Sequence, residues 1–398
     1  MDFPDFPDFP DFAVAVGEEG SDPVVVSGSG SVRVDELAAS GHLDRQDGDL
    51  ADIASVGVDI VRYGMPWRLT EPEPGRYDWT LWDQAFAACD RHGLRPVVDL
   101  LHFGLPDHLG GGFCDPAWIE AFLRYVDAFL ERYPEPMWFT PVNEPGITAL
   151  ASALFGLWND RRSSREDYFA ALGYLVVANL EAVARIRDGR DGWWIGSEGL
   201  GCNLAIGTAG AAAASEATAL QQLVWDLHFG LDPRTEVADA LHVIDDAVLS
   251  RIDRLAVRDD RHVVAGHDVY PAGIVVHGAG DAPPLGVREL AEAYGAEARA
   301  WFERYRRPFW VAETSNLGLL VDQQGAWLDA LVATLDAMRA EGLPARGICW
   351  YSRGDQFDWQ TMLAEPVGAV TEVGLFDHRR TPRASAVAFH ALATRRRS

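Results

Sequence analysis

No lysine occurs among the 398 residues, so all 34 basic side chains are arginines. That absence removes chemistry built on an amine nucleophile or a phosphate-gripping lysine, and with it Schiff-base aldolases, pyridoxal enzymes and P-loop NTPases. Cysteine is scarce as well. Cys89, Cys114, Cys202 and Cys349 are scattered, with neither C-x-x-C spacing nor the density of a disulfide scaffold, which points to a reducing interior. Positive charge is in short supply: 34 basic against 60 acidic residues leave −26, so nucleic acid and anionic membrane are disfavoured partners and a neutral or cationic one is easier to accommodate. No apolar run reads as a bilayer span. The opening Asp-Phe-Pro repeat, through Pro10, lacks the basic and apolar regions of a secretory signal. The expectation is a cytoplasmic protein, with residues 1–11 a disordered leader and 12–398 a single domain.

What is present is a recurring pattern of short apolar segments separated by helical periodicity, the mark of a parallel β/α fold. Eight segments qualify: Phe12 to Val16, Val58 to Tyr63, Arg95 to Leu101, Met137 to Val142, Trp193 to Ser197, Val263 to Tyr270, Phe309 to Ala312 and Gly347 to Trp350. Between them, Ile119, Phe122, Leu123, Val126 and Leu130 form one helical stripe, with Pro116 suited to the first helical position. Ser164 and Asp167 resemble a capping box ahead of Tyr168, Leu172, Leu175 and Val176. Eight strands, and no G-x-G-x-x-G after the first, favour a closed (β/α)₈ TIM barrel over an open doubly wound sheet. The longest strand-to-strand interval follows the fifth strand, so the largest loop insertion is expected there.

Barrel enzymes work at the carboxyl ends of their strands. Reading those ends in order gives Arg62, His102, Asn143-Glu144, Ser197-Glu198, His267-Asp268 with Tyr270, Glu313-Thr314 and Trp350-Tyr351-Ser352. Glycoside cleavage needs one carboxylic acid to protonate the departing oxygen and a carboxylate opposite to trap the oxocarbenium-like transition state. Glu144 and Glu313, on strands that face one another across a barrel, suit that pair, with Arg62 as the countercharge of Glu313. The expectation is therefore a carbohydrate substrate and no cofactor.

The motifs themselves resemble family 1 glycoside hydrolases, of the β-glucosidase-like clan of barrel glycosidases. Thr140-Pro141-Val142-Asn143-Glu144-Pro145 is similar to that family's acid/base motif, Val61-Arg62-Tyr63-Gly64-Met65-Pro66-Trp67 to its second-strand arginine segment, and Leu101-His102-Phe103-Gly104-Leu105-Pro106 to its third-strand histidine segment. The resemblance implies Glu144 as acid/base, Glu313 as nucleophile, Asn143 on the sugar 2-hydroxyl, His102 on another hydroxyl, and Arg62 and Tyr270 orienting Glu313. It also implies that Trp350 stacks on the sugar and that the run from Asp355 to Trp359 reads outer hydroxyls. Two departures mark a divergent branch: Glu313 is followed by Thr314-Ser315-Asn316 rather than Asn-Gly, and the first strand lacks the usual glutamine.

Two other readings stand beside this one. The barrel could bind carbohydrate without turning it over. A metal-dependent barrel hydrolase would use His267 and Asp268, but neither an early H-x-H nor an H-E-x-x-H is present, so no metal site is expected. Glu198 is expected to be structural or substrate-binding, and Asp99 to pair locally.

Overall fold

Each of the eight apolar segments forms a barrel strand: β1 Ala13–Gly17, β2 Ile60–Gly64, β3 Arg95–Asp99, β4 Trp138–Thr140, β5 Trp193–Ile195, β6 Val263–Asp268, β7 Phe309–Thr314 and β8 Ala345–Tyr351. Neighbours pair in parallel in chain order, and β8 closes onto β1. The computed structural model describes residues 8–397 other than 29, 111, 136, 189, 190, 260, 281 and 282. One principal helix follows each strand: α1 Gln46–Ser55, α2 Thr80–His92, α3 Ala117–Arg132, α4 Arg165–Arg187, α5 Gly207–Phe229, α6 Val287–Tyr305, α7 Gln324–Ala340 and α8 Ala384–Arg397. Ser164 caps α4 by accepting from the Asp167 amide at 3.0 Å, whereas Pro116 sits one residue before the first helical position of α3.

The period-two geometry of a strand sorts side chains into two layers. Ala13, Ala15, Ile60, Val97, Trp138, Ile195, Val264, Trp310, Ala312, Cys349 and Tyr351 point inward and form one cluster. Their alternates, among them Val14, Val61, Tyr63, Val98, Phe139, Val311, Ile348 and Trp350, pack against the helices. Continuing the inward count along each strand delivers Arg62, Asp99 and Asp268 to the carboxyl end. β7 breaks the count at its carboxyl end: a register shift against β6 between Val311 and Glu313 re-aims Glu313 inward. Thr314 then turns outward, where its hydroxyl donates to the Val269 carbonyl at 2.6 Å and accepts from the Trp327 indole at 3.0 Å.

Phe9 closes the opposite end of the barrel, with its ring 5.1 Å from Trp138 and 5.3 Å from Trp310. This corrects the leader expected over 1–11: residues 1–7 lie outside the described residues, but packed structure begins at Phe9. The sequence reading of no bilayer-length apolar run is also amended, since α4 is long and apolar enough by composition, with 72% of its apolar window buried in the fold. The largest loop region does follow β5, over 196–262. It contains strand Cys202–Ala205, which pairs in parallel with Ile274–His277, then α5 and helix Asp246–Leu255.

Two glycines are required by close approach. A Cβ at Gly17 would lie 2.1 Å from the Tyr351 ring, and one at Gly266 would lie 1.8 Å from the Gly196 carbonyl oxygen and 2.8 Å from the Ala312 side chain. Gly266→Ala is expected to destabilise the fold by about 3 kcal/mol or be insoluble, because backbone of the next strand must move. Gly325→Ala in α7, where a Cβ meets open space, should leave the thermal midpoint unchanged or slightly raised; comparing the two melting curves checks this.

Candidate active site

Arg62 lies at the centre of the site and is wholly buried. Its Nη1 donates to Glu313 Oε1, and its Nη2 donates to Asp99 Oδ2 at 2.7 Å and to Asn143 Oδ1 at 2.6 Å. The second Glu313 oxygen, Oε2, accepts from the Tyr270 hydroxyl at 2.7 Å. Burial, then the charge of Glu313, pushes the Tyr270 hydroxyl well above its ordinary range, so it remains a donor. Both oxygens of Glu313 are thus held by side chains from β2 and the loop after β6.

Arg62 also fixes a hydrogen-bond chain to its other side. Because it donates to Asn143 Oδ1, the Asn143 amide nitrogen faces His102 Nε2 at 3.1 Å. His102 Nε2 is therefore an acceptor, and His102 Nδ1 donates to Asp99 Oδ2 at 2.8 Å. Asp99, expected to pair locally, does so with His102 three residues on and also accepts from Arg62.

Glu144 occupies a left-handed backbone position, φ 38° and ψ 65°, as the residue before the short helix Pro145–Ala149. It is 7% exposed. Burial, reinforced by the neighbouring carboxylates of Asp268, Glu313 and Glu198, pushes its carboxyl well above the usual range. One oxygen from each of Glu144, Asp268 and Glu313 lies within 4.8 Å of the others. That spacing matches the short carboxyl separation of about 5 to 5.5 Å used in double displacement, not the wider gap that admits a water between acid and base.

Of three expected sugar contacts, Trp350 and Asp355 are turned to other partners. Trp350 is an outward residue of β8: its indole donates to the Val373 carbonyl at 3.0 Å and packs on Phe389 of α8. The inward place belongs to Tyr351, whose ring stacks on His102 at 6.1 Å with the Arg62 guanidinium 5.3 Å from its centroid. Asp355 is a strut of the C-terminal loop, accepting from Arg383 Nη1 at 2.6 Å and Nη2 at 2.8 Å and from the Gly374 and His378 amides. Trp359 does lie at the barrel mouth, against Phe103 and Trp158, with a buried indole nitrogen that has no partner among the described residues.

Glu19 was missed. It lies two residues beyond β1, accepts from Gln356 Nε2 at 2.8 Å and from the Ser21 amide at 2.8 Å, and lies 3.7 Å from His102 Nε2. Burial raises its carboxyl, with His102 opposing and Glu313 adding to the shift. Beside it, buried Glu36 accepts from the Phe357 amide at 2.9 Å and leaves its other oxygen unpartnered. The signal available in sequence was the pair Glu18-Glu19 placed immediately after an apolar strand.

Glu198 accepts from the Gly146 and Gly199 amides at 2.7 and 3.0 Å, bracing the turn that carries Glu144; burial pushes its carboxyl up to about 8. His267 faces outward, stacked on Phe309, and burial pushes it down to about 3, so it does not join Asp268. Two groups of metal-ligand side chains converge among the described residues. Glu18 and Asp49 are committed to Arg353 and Arg380, and His42 to Asp49 and the Tyr63 hydroxyl. Glu144, Asp268 and Glu313 offer oxygen ligands only, with Arg62 already on Glu313.

A family model described as Glycosyl hydrolase family 1 matches residues 31–227. Among curated proteins, similarity is found to the aryl-phospho-β-D-glucosidase BglA of Bacillus subtilis, 26% identical over 157 residues (35% of this chain, 33% of that one). The 6-phospho-β-galactosidase of Staphylococcus aureus is 27% identical over 158 residues (38% and 34%), and the coniferin β-glucosidase of Pinus contorta 27% over 186 (41% and 35%). The chain thus spans about a third of the length of the curated relatives it matches. Over the whole chain, the fold is that of the family 1 β-glucosidase from Thermotoga maritima, with a TM-score of 0.81, 18% identity and 99% of each chain covered. The β-glucosidase from Exiguobacterium antarcticum gives 0.79 at 15% identity, with 98% of each chain covered.

Asp355 and Trp359 should separate experimentally. Asp355→Ala leaves Arg383 without its buried partner and is expected to cost about 3–5 kcal/mol in urea denaturation. A side chain whose only task is to touch a ligand would shift stability by no more than about 0.5 kcal/mol.

Proposed function

We propose that this chain is a divergent member of glycosyl hydrolase family 1 and that it hydrolyses a β-linked glycoside or oligosaccharide by double displacement, with retention at the anomeric carbon. The observation that carries the proposal is the pairing of Glu144 and Glu313 with oxygens within 4.8 Å. In the first step a Glu313 oxygen bonds to the anomeric carbon as the bond to the leaving oxygen breaks, and Glu144 gives that oxygen its proton. In the second, Glu144 removes a proton from water, the water oxygen bonds to the anomeric carbon, and the Glu313 carboxylate departs.

Arg62 and Tyr270 orient the nucleophile, His102 holds Asn143, which keeps a second amide hydrogen for a sugar hydroxyl, and Trp359 offers a face and an N–H at the mouth. No cofactor enters these steps. Four free cysteines support a place in the cytoplasm.

The glycone we favour is unphosphorylated, although two of the relatives are named for phosphorylated sugars. The chain has no lysine. Its fully buried arginines are committed, Arg62 to Glu313 and Asp99 and Arg353 to Glu18 and Asp49. A phosphate would instead meet Glu19 and Glu36, carboxylates brought to the same end of the barrel.

Glu313→Gln should lower kcat on 4-nitrophenyl β-glycosides by at least about 10³-fold, and azide should rescue Glu313→Gly with formation of the α-glycosyl azide. Failure of both with sugar binding intact would favour a barrel that binds carbohydrate without cleaving it, and loss of activity with chelator would favour a metal-dependent hydrolase. On 4-nitrophenyl β-D-glucoside and its 6-phosphate, kcat/KM should favour the unphosphorylated sugar.

A further inference from the structure

The two-carboxylate mechanism leaves a third carboxyl group unused. Asp268 ends β6 with its side chain inward and 3% of its surface exposed. One of its oxygens lies within 4.8 Å of oxygens from both Glu144 and Glu313. Its Oδ2 accepts from the Ser197 hydroxyl at 2.5 Å, while its Oδ1 is buried with no partner among the described residues. The main chain pins it in place from both sides: the Asp268 amide donates to the Glu198 carbonyl at 2.9 Å, and the Val269 amide to the Glu313 carbonyl at 2.9 Å. A residue held this firmly beside the reacting pair, with half of its carboxyl unsatisfied, is not accounted for by folding alone.

We propose that Asp268 is a positioning residue for the acid/base: its carboxylate, held by Ser197, keeps the transferable proton on Glu144 and so sets the pH range over which Glu144 can act as an acid. The inference rests on the glycosidase reading above. Its physical basis is that two carboxyl groups this close in a buried site cannot both ionise freely, so the pair holds a proton jointly. Which member keeps that proton depends on the donors each receives. Ser197 donates to Asp268, and no donor to the Glu144 side chain is present among the described residues. The proton is thereby biased toward Glu144, the group that must deliver it. The other titratable or charged groups facing Asp268 are Glu313 and its partner Tyr270, Glu198 after β5, Arg62 from β2 and the Cys349 thiol from β8. Burial and the Glu313 charge raise the Asp268 carboxyl, and Arg62 and Ser197 oppose that shift.

The sign follows directly. Asp268→Asn removes the negative charge that opposes ionisation of Glu144, so Glu144 loses its proton at lower pH. The alkaline limb of kcat/KM on 4-nitrophenyl β-glycosides should move down by about one pH unit. Ser197→Ala removes the donor that favours the Asp268 carboxylate, so the shared proton moves toward Asp268 and the limb should again move down, by less. An alkaline limb that stays at its wild-type position in both variants, or moves up, overturns the proposal. Should Asp268→Asn fail to fold, Ser197→Ala decides alone by the same criterion. Carboxyl carbon NMR titration of Glu144, assigned with Glu144→Gln, gives an answer independent of turnover. A downward shift of its midpoint in Asp268→Asn supports the inference even if no aryl glycoside is hydrolysed, a result that would instead count against the glycosidase reading; an unmoved midpoint overturns it.

Discussion

The contact on which the site depends is the one between the buried guanidinium of Arg62 and the carboxylate of Glu313. A planar donor with several N–H groups in fixed directions can serve Glu313, Asp99 and Asn143 at once, which an ammonium could not do with the same geometry. Through Asn143 and Asp99 the same guanidinium orients His102 and selects its tautomer. Removing either end of this ion pair would leave an uncompensated charge in a region sealed from solvent, so placement of the nucleophile and integrity of the barrel mouth are coupled. The barrel makes the contact possible by bringing the carboxyl ends of β2 and β7, separated in the ring by β1 and β8, to one mouth.

Charge balance is the second constraint. Around the single guanidinium of Arg62 stand Asp99, Glu313, Asp268 and Glu144, all buried. Full ionisation of that group would place several negative charges within a few ångströms in a low-dielectric site, and burial raises the carboxyls of Glu144 and Asp268, which hold a proton between them. Tyr270 and Arg62 occupy the oxygens of Glu313, so the unequal hydrogen bonding of the carboxyls divides the roles of donor of a proton and donor of electrons.

The eight strands were legible because strands covered on both faces read as short apolar runs, and helices between them carry their own period. Arg62 was legible because β2 keeps a simple alternation, and Glu144 because Asn143-Glu144-Pro145 follows the apolar run of β4. Trp350 was misplaced because strand parity, not proximity to the site in sequence, decides orientation: Cys349 and Tyr351 point inward, so Trp350 cannot. Glu313 escapes the same rule only through the register shift in β7, which has no sequence marker. Asp355 carried the right chemistry for a sugar hydroxyl but is consumed by Arg383, a partner 28 positions later that sequence spacing does not reveal. The surroundings of Glu19 and the role of Asp268 were hidden for the opposite reason. Each follows or ends an apolar strand, but the contacts that give it meaning come from Gln356, His102 and Ser197 on distant strands.

The central claim is that Glu313 forms a covalent bond to the sugar. Incubation with a 2,4-dinitrophenyl 2-deoxy-2-fluoro-β-glycoside, which slows the second step more than the first, tests it most directly by mass spectrometry of the intact chain and of its peptides. The account predicts a stoichiometric fluoroglycosyl adduct located on the peptide that carries Glu313, accumulating with release of dinitrophenol. An adduct located on Glu144, Asp268 or Glu198, or release of dinitrophenol with no adduct, would contradict it.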